Sequence, residues 1–106
     1  MIIANVDGWN GEDWFVGPWN SGARAAFAFG GRAGAESHIH DAMYEAYLVA
    51  SGSATLIVED VEHELHAGMI AVVEPGEAHY FASKSDDFRH FVVQTPFVEN
   101  DKRPAT

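Results

Sequence analysis

Two histidines separated by one residue are the feature of this sequence best suited to chemistry. His38 and His40 occupy positions i and i+2, which point to the same face of a strand, so both imidazoles can bind one ion. Glu45 follows with the opposite parity, so the chain must turn or bulge within residues 41–44 for all three side chains to converge. His79 ends a later polar segment and is the candidate fourth ligand.

Three imidazoles and one carboxylate form a donor set that suits Fe, Mn, Ni, Cu or Zn and not the oxygen cage that calcium prefers. A six-coordinate ion held by four protein groups keeps two positions open for a bidentate anionic substrate, or for substrate and O2. Glu45 has a second interpretation, as a proton acceptor beside a bound substrate, which makes it the candidate catalytic residue as well. The chain has no cysteine, which excludes thiolate ligands and a cysteine nucleophile.

The elements that must position these side chains are predicted to be strands. Short apolar or alternating runs, bounded by Gly, Pro, Asp and Ser, recur about every ten residues, which is typical of a β-sandwich or barrel. The expected strands are 13–16, 24–29, 37–41, 45–50, 53–59, 61–66, 69–73, 79–82 and 88–94. Reversals at 50–53 and 59–62 predict a meander of hairpins in the middle of the chain. The polar tail 100–106 is expected to fray or to pack over a neighbouring surface.

The two histidine segments resemble the two motifs of the cupin superfamily. The segment 34–52 reads Gly34-x3-His38-x-His40-x4-Glu45-x6-Gly52, and the segment 68–83 contains Gly68-x6-Pro75-Gly76-x2-His79. The first motif is two residues shorter than usual between its opening glycine and the first histidine. Glu74 and Ser83 stand where the family often has proline and asparagine.

This resemblance implies an all-β fold, the double-stranded β-helix or jelly roll of the cupin barrel, over a single domain of residues 1–106. It also implies that His38, His40, Glu45 and His79 bind one divalent transition metal ion. Dioxygenase, decarboxylase and isomerase activities on a compact anionic or enolisable molecule are compatible with it. A non-catalytic binding or sensing protein with a structural metal is the alternative, and a metal-free epimerase-like cupin is a further one.

Three residues outside the ligand set are candidate substrate contacts. Tyr47 supplies aromatic area near the expected pocket, although a small barrel also needs bulky core residues. His90 lies in a predicted strand, half of whose residues face outward. Arg24 can pair with a substrate carboxylate if it faces inward, and with surface acids if it does not. Asp41 can orient a neighbouring imidazole or cap a turn.

Charge and composition narrow the range of partners. A net charge of −10 over 106 residues would repel phosphate backbones and anionic membrane surfaces, so neither nucleic acid nor membrane is expected as a partner. The sequence has no run of the ~20 apolar residues that a membrane helix needs, and we expect a cytoplasmic protein that acts on a small molecule. The apolar and tryptophan-rich segment 1–30 predicts a homodimer contact. His63 and His66 are expected to be solvated.

Overall fold

The computed structural model describes residues 1–9, 11–32 and 34–105, so Asn10, Ala33 and the terminal Thr106 of the tail lie outside it. It contains ten strands: β1 (Glu12–Val16), β2 (Ala26–Gly30), β3 (His38–Ile39), β4 (Tyr44–Ser51), β5 (Ser53–Val58), β6 (Val61–His66), β7 (Ile70–Val73), β8 (His79–Lys84), β9 (Arg89–Thr95) and β10 (Arg103–Pro104). No helix occurs among the described residues, and so none that could span a membrane.

The strands form two antiparallel sheets of five strands each. The first sheet has the order β1-β2-β9-β4-β7 and the second has the order β10-β3-β8-β5-β6. The prediction of an all-β jelly roll is confirmed, and each of the nine expected strands ends within two residues of an observed one. Only β10 was not expected as a strand.

The inner faces of the two sheets enclose the core, and on the long strands β4 and β9 inward-facing buried residues alternate with more exposed ones. On β4, Glu45, Tyr47 and Val49 are buried while Tyr44 and Ala50 are exposed. The apolar members of the core cluster are Ala28, Tyr47, Val49, Ala54, Leu56, Leu65, Val73, Phe81, Phe88 and Val92. The polar residues Glu45, His79 and His90 share this interior. The alternation therefore buries ionisable side chains in the middle of an apolar core.

The expected meander in the middle of the chain is wrong at its first turn. β4 pairs with β7 and β9, whereas β5 pairs with β6 and β8, so the chain changes sheets at Gly52 instead of forming a hairpin there. Gly52 has a φ of +72°, and a Cβ at this position would lie 2.6 Å from the backbone nitrogen of Phe88. A side chain is therefore excluded where the chain crosses from one sheet to the other. The second hairpin, β5–β6, forms where it was expected, with Glu59 and Asp60 at positive φ.

The C-terminal tail packs on the protein through specific contacts. β10 pairs with β3, with Arg103 opposite Ile39 and Pro104 opposite His38. The backbone N–H of Ala105 donates to the carbonyl of Ser37. Of the two behaviours expected for the tail, the structure therefore shows packing, and the packing is against the strand that begins at His38.

Candidate metal centre

A buried cluster joins the four residues predicted as metal ligands. His38, His40, Glu45 and His79 are each less than 10% exposed, and one candidate ligand atom from each lies within 4.8 Å of all the others. The Nε2 atoms of the histidines lie 3.9, 3.3 and 3.1 Å from Oε1 of Glu45, in that order. Side chains that are up to 41 residues apart in the sequence therefore converge on one point.

The cluster forms at the place where the two sheets come together. His38 on β3 and His79 on β8 are directly opposite each other in the second sheet. Glu45 lies on β4 of the first sheet, so the chain crosses between the sheets in residues 41–43. The predicted interruption between His40 and Glu45 is confirmed, and its cause is this change of sheet. The N–H of Gly76 donates to the carbonyl of His40 over 2.8 Å, which links the Pro75-Gly76 turn to the first histidine segment.

The outer nitrogens of the three histidines are held by backbone carbonyls. Nδ1 of His38 lies 2.8 Å from the carbonyl oxygen of Glu36, and Nδ1 of His79 lies 3.0 Å from that of Glu77. Nδ1 of His40 pairs with the carbonyl of Asp101. A carbonyl accepts but cannot donate, so each Nδ1 carries a proton and the neutral ring presents a bare Nε2 lone pair to the interior. This is the tautomer and orientation that metal-binding histidines adopt.

Glu45 accepts hydrogen bonds on both carboxylate oxygens. The hydroxyl of Tyr47 donates to Oε1 over 2.6 Å, and Nε2 of Gln94 donates to Oε2 over 2.7 Å. Burial would raise the pKa of this carboxyl, but the hydrogen bonds that Tyr47 and the protonated forms of the three histidines donate outweigh burial and hold the pKa far below its usual value. Burial and the neighbouring carboxylate raise the pKa of Tyr47 well above 10, so its hydroxyl stays a donor. The site therefore keeps a negative charge at its centre.

Asp101 supports His40 through both its backbone and its side chain. Besides the carbonyl at Nδ1 of His40, its carboxylate accepts the N–H groups of residues 41, 42 and 43 over 2.8, 3.0 and 2.8 Å. These bonds outweigh burial and lower the pKa of Asp101. Asp41 performs neither of the roles expected for it, because its exposed carboxylate pairs with Arg103 over 2.9 Å. The residue that orients the imidazole and caps the turn is Asp101, which lies in the tail.

A divalent transition metal ion fits this donor set. In the neutral tautomers, three Nε2 lone pairs and a carboxylate face one another with only the hydroxyl of Tyr47 and the amide of Gln94 as donors among them. Acceptors that converge in this way are repulsive unless a cation or extra protons lie between them. Three imidazoles and a carboxylate are ligands of Fe, Mn, Ni, Cu and Zn. The cluster can therefore hold a metal ion, and the identity of the ion stays open.

A cavity of about 470 Å³ opens onto the cluster. Its lining combines His38, His40 and Glu45 with an apolar wall that includes Phe81 and Val92. Two of the tryptophans, Trp14 and Trp19, also line it and are 38% and 51% exposed. The apolar wall and a few convergent polar groups are the ordinary features of a site for a small molecule.

The three predicted substrate contacts have different positions. Tyr47 lines the cavity, but its hydroxyl is used by Glu45. His90 also lines the cavity, is 2% exposed, and places Nε2 3.4 Å from Oε1 of Glu12. Arg24 is exposed and is not part of the described cavity lining, because it precedes β2 and so escapes the inward alternation of that strand.

Sequence reasoning missed Gln94 as a member of the site. Gln94 lies directly opposite Glu45 in the pairing of β4 with β9, and it is 8% exposed. A usable signal was present, because Gln94 shares its parity with His90 and Val92, which also face inward. No comparable signal marked Asp101, since a polar tail has no periodicity.

Comparison with known proteins agrees with this geometry. The family model for the cupin domain matches residues 26–93, which is more than half of the chain. The chain belongs to the cupin family. A search of curated proteins found no matching sequence.

Solved cupin structures share the fold with this chain at low sequence identity. A cupin 2 conserved barrel domain protein from Salinispora arenicola is 20% identical with a TM-score of 0.69, over 89% of this chain and 87% of that one. Streptomyces PAC13 with uridine is 19% identical with a TM-score of 0.63, over 77% and 67%. KdgF from Halomonas is 18% identical with a TM-score of 0.60, over 72% and 70%. Another structure of Pac13 is described as that of a nucleoside dehydratase. At these identities the likeness shows the fold alone.

Proposed function

We propose that this cupin is a small metalloenzyme that acts on a compact anionic or enolisable organic molecule. The observation that carries the proposal is the set of three Nε2 atoms that face Glu45 beside a cavity with an apolar wall, on rings whose Nδ1 atoms are each held by a backbone carbonyl. The cavity volume of about 470 Å³ suits a compact ligand.

In this proposal His38, His40, Glu45 and His79 hold the ion. The bound ion would supply Lewis-acid polarisation of substrate oxygens or, for Fe, Mn or Cu, redox chemistry. Tyr47 and Gln94 fix the orientation of the Glu45 carboxylate. Glu45 is also the candidate group to accept a proton from a substrate bound beside it, because it lines the cavity. The apolar wall lowers the local polarity and so strengthens these electrostatic interactions.

Turnover of a defined set of compounds tests the proposal. Wild-type protein loaded separately with Fe(II), Mn(II), Ni(II), Cu(II) or Zn(II) is incubated with small 2-oxo acids, hydroxy acids and β-diketones, with and without O2, and substrate loss is followed by mass spectrometry. We expect loss of at least one compound with wild type and with His63→Ala, but none with His40→Ala. The pair is matched, because the same substitution is made at a buried cluster residue and at an exposed strand residue. Turnover that survives in His40→Ala would refute a metal-dependent reaction.

A non-catalytic cupin with a structural metal is the second candidate, and the dense hydrogen bonding around Glu45 favours it. The two candidates differ in the coordination positions that are open to water, since structural sites are normally closed and catalytic sites keep an exchangeable ligand. Water-proton relaxation of Mn(II)-loaded protein measures this directly. Rapidly exchanging water at the ion supports the enzyme, and its absence supports the structural role.

We also propose that a second copy of the chain covers the outer face of the first sheet. Four large apolar side chains are 38 to 67% exposed there: Phe27, Phe91, Ile70 and Val72. They lie on β2, β9 and β7, and β4 separates β9 from β7 in the sheet. These four side chains are uncharged in a chain of net charge −10, so two copies can meet through them without pressing carboxylates together. Sedimentation analysis should give a dimer for wild type and a monomer for Val72→Glu. A monomeric wild type would overturn this proposal.

We also propose that the protein acts on a small molecule and that it does so in the cytoplasm. The acidic charge supports a small-molecule partner over nucleic acid or an anionic membrane. Cell fractionation with an antibody against the chain tests the cytoplasmic location.

A further inference from the structure

A second polar pair, the buried His90 and the partly exposed Glu12, lies in the cavity apart from the metal centre. Nε2 of His90 lies 3.4 Å from Oε1 of Glu12, and both residues line the cavity. His90 is 2% exposed, and its Nδ1 is buried with no hydrogen-bond partner among the described residues. An unpartnered buried polar atom is costly and needs an explanation. The proposed metal chemistry does not use this pair.

The pair is held in place from several sides. The ring of His90 stacks on Tyr47 with 5.2 Å between centroids and an interplanar angle of 5°, and it meets the ring of Phe88 at 4.8 Å. Oε2 of Glu12 accepts the backbone N–H of Arg32 over 3.3 Å. The position of Glu12 depends on Gly30, because a Cβ there would lie 2.6 Å from the Cα of Glu12. Such support is typical of a group whose orientation matters.

Strand register places the pair at the other end of the cavity from the metal centre. Gln94, which is bonded to Glu45, and His90 lie four residues apart on β9, a distance of about 13 Å along a strand. Gly30 is opposite both His90 and Glu12 in the first sheet, so these three residues lie side by side across strands β1, β2 and β9. Between the positions of Gln94 and His90 along the strand, the cavity wall is formed by Val92 and the ring of Tyr47. The cavity is therefore polar at both ends and apolar in the middle.

We propose that Glu12 and His90 form a second polar subsite that binds the hydroxyl or N–H end of a ligand. A carboxylate oxygen accepts more than one hydrogen bond, so Glu12 can take a ligand donor in addition to its present partners. His90 keeps this carboxylate in the cavity wall. A carboxylate accepts but cannot donate, so a ligand group that only accepts is disfavoured at this end, and Lys84 offsets part of the charge of Glu12. The ligand then has an oxygen function at the metal end, an apolar middle and a neutral hydrogen-bond donor at the subsite.

This inference rests on the proposed function in one respect, the assignment of the other end of the ligand to the metal ion. The first test therefore uses metal-free protein, so that it examines the subsite alone. The probes are 1-hexanol and its isomer 1-methoxypentane, which has the same composition but no donor. Binding is followed in long-range 1H–15N spectra of the histidine rings. We expect the wild-type protein to bind hexanol about tenfold tighter than the ether, as for a hydrogen bond to a charged acceptor, with a shift of the His90 ring nitrogens.

Two variants and one control decide the result. Glu12→Met removes the acceptor at nearly constant size and should bring the ratio of the two affinities to about one. His90→Phe keeps the ring packing and should lower the ratio by removing the partner that positions Glu12. Glu64→Met, at an exposed position on β6, should leave the ratio unchanged. The backbone spectrum of each variant verifies its fold. An equal ratio in wild type and in Glu12→Met would overturn the subsite, as would failure of either probe to bind.

A second test examines the length of the ligand. Zn(II)-loaded protein is titrated calorimetrically with straight-chain carboxylates of four to ten carbons, with and without a terminal hydroxyl. The hydroxyl should improve affinity at one chain length only, and Glu12→Met should remove that gain while the Zn(II) affinity stays the same. A gain at no length would overturn the two-ended ligand. A protein that binds no Zn(II) but still prefers hexanol would refute the metal proposal and leave the subsite standing.

Discussion

Two regions of this protein contain both histidines and glutamates, but these side chains are buried in one region and exposed in the other. In the metal centre, three imidazoles and Glu45 are buried and their ligand atoms converge. On β6, His63 and His66 lie beside Glu62 and Glu64, and all four are exposed. Residue type alone therefore does not distinguish the two regions.

The difference lies in strand position and in cross-strand register. β6 is the edge strand of its sheet, and the odd spacing of its histidines sends them to opposite faces. His38 and His79 are instead directly opposite each other on neighbouring strands, with Nδ1 of each held by a carbonyl. Nδ1 of His66 on β6 also lies 3.1 Å from a carbonyl oxygen, that of Ala67, so a held ring nitrogen is not sufficient. Convergence requires the cross-strand register that places His38 opposite His79, and the histidines of β6 have no histidine opposite them.

The largest effect on metal affinity should come from replacing a histidine of the metal centre with alanine, in contrast to the same replacement on β6. His79→Ala removes a ligand that is 1% exposed, and the affinity for Zn(II) or Co(II) should fall by more than about 100-fold, beyond the range for residues that only support a ligand. His63→Ala should leave the metal affinity unchanged. Competition titration with a chelator of known affinity measures both. Equal losses in the two variants would remove the distinction between the regions.

The next effect concerns the tail that supports His40. Asp101→Ala removes the carboxylate that caps residues 41–43 and so loosens the carbonyl at His40, and metal affinity should fall about 10- to 100-fold. Asp41→Ala, which breaks only the exposed ion pair with Arg103, is the control and should change little. The same titration applies. An unchanged affinity in Asp101→Ala would show that the tail does not position the ligand.

A smaller effect is expected from the hydroxyl that orients Glu45. Tyr47→Phe keeps the buried ring but removes a donor to a buried carboxylate, which should lower the free energy of unfolding of the metal-free protein by about 1–3 kcal/mol. Tyr80→Phe, on β8 outside the cluster, is the control. Urea unfolding at pH 7 measures the two values. A loss in Tyr47→Phe no greater than in the control would show that this bond does not stabilise Glu45.

The smallest effect is a pH dependence of the metal-free protein. The bonds to Glu45 and Asp101 outweigh burial and raise the pKa of His40 above its ordinary value of 6.5. A raised folded-state pKa gives stability that is complete below pH 6.5 and is lost as the pH rises through the folded value. The free energy of unfolding should therefore decrease between pH 5.5 and 9, with a slope that corresponds to a difference of less than one bound proton between the folded and unfolded states. His40→Gln should make this curve flatter. A wild-type stability that rises over this range would contradict the sign.

The sequence predicted the parts of the site that depend on local spacing. The i and i+2 histidines, the break before Glu45 and the return of His79 follow from strand periodicity and the cupin resemblance. The carbonyl of Asp101 at His40 and the pairing of Glu12 with His90 join residues 61 and 78 positions apart, which no periodicity encodes. Of the two positions left open for Arg24, the structure shows the exposed one, because β2 begins two residues after Arg24. The crossing at Gly52 was misread because small residues mark a crossing between sheets as well as a hairpin.

The metal content of untagged protein purified without chelators tests the central claim most directly. Elemental analysis of wild type, His40→Ala and His63→Ala, before and after reconstitution with each candidate ion, should give close to one transition metal ion per chain in wild type and in His63→Ala. His40→Ala should contain almost none. Metal-free wild type after reconstitution, or equal metal content in His40→Ala, would contradict the assignment of His38, His40, Glu45 and His79 as a metal centre.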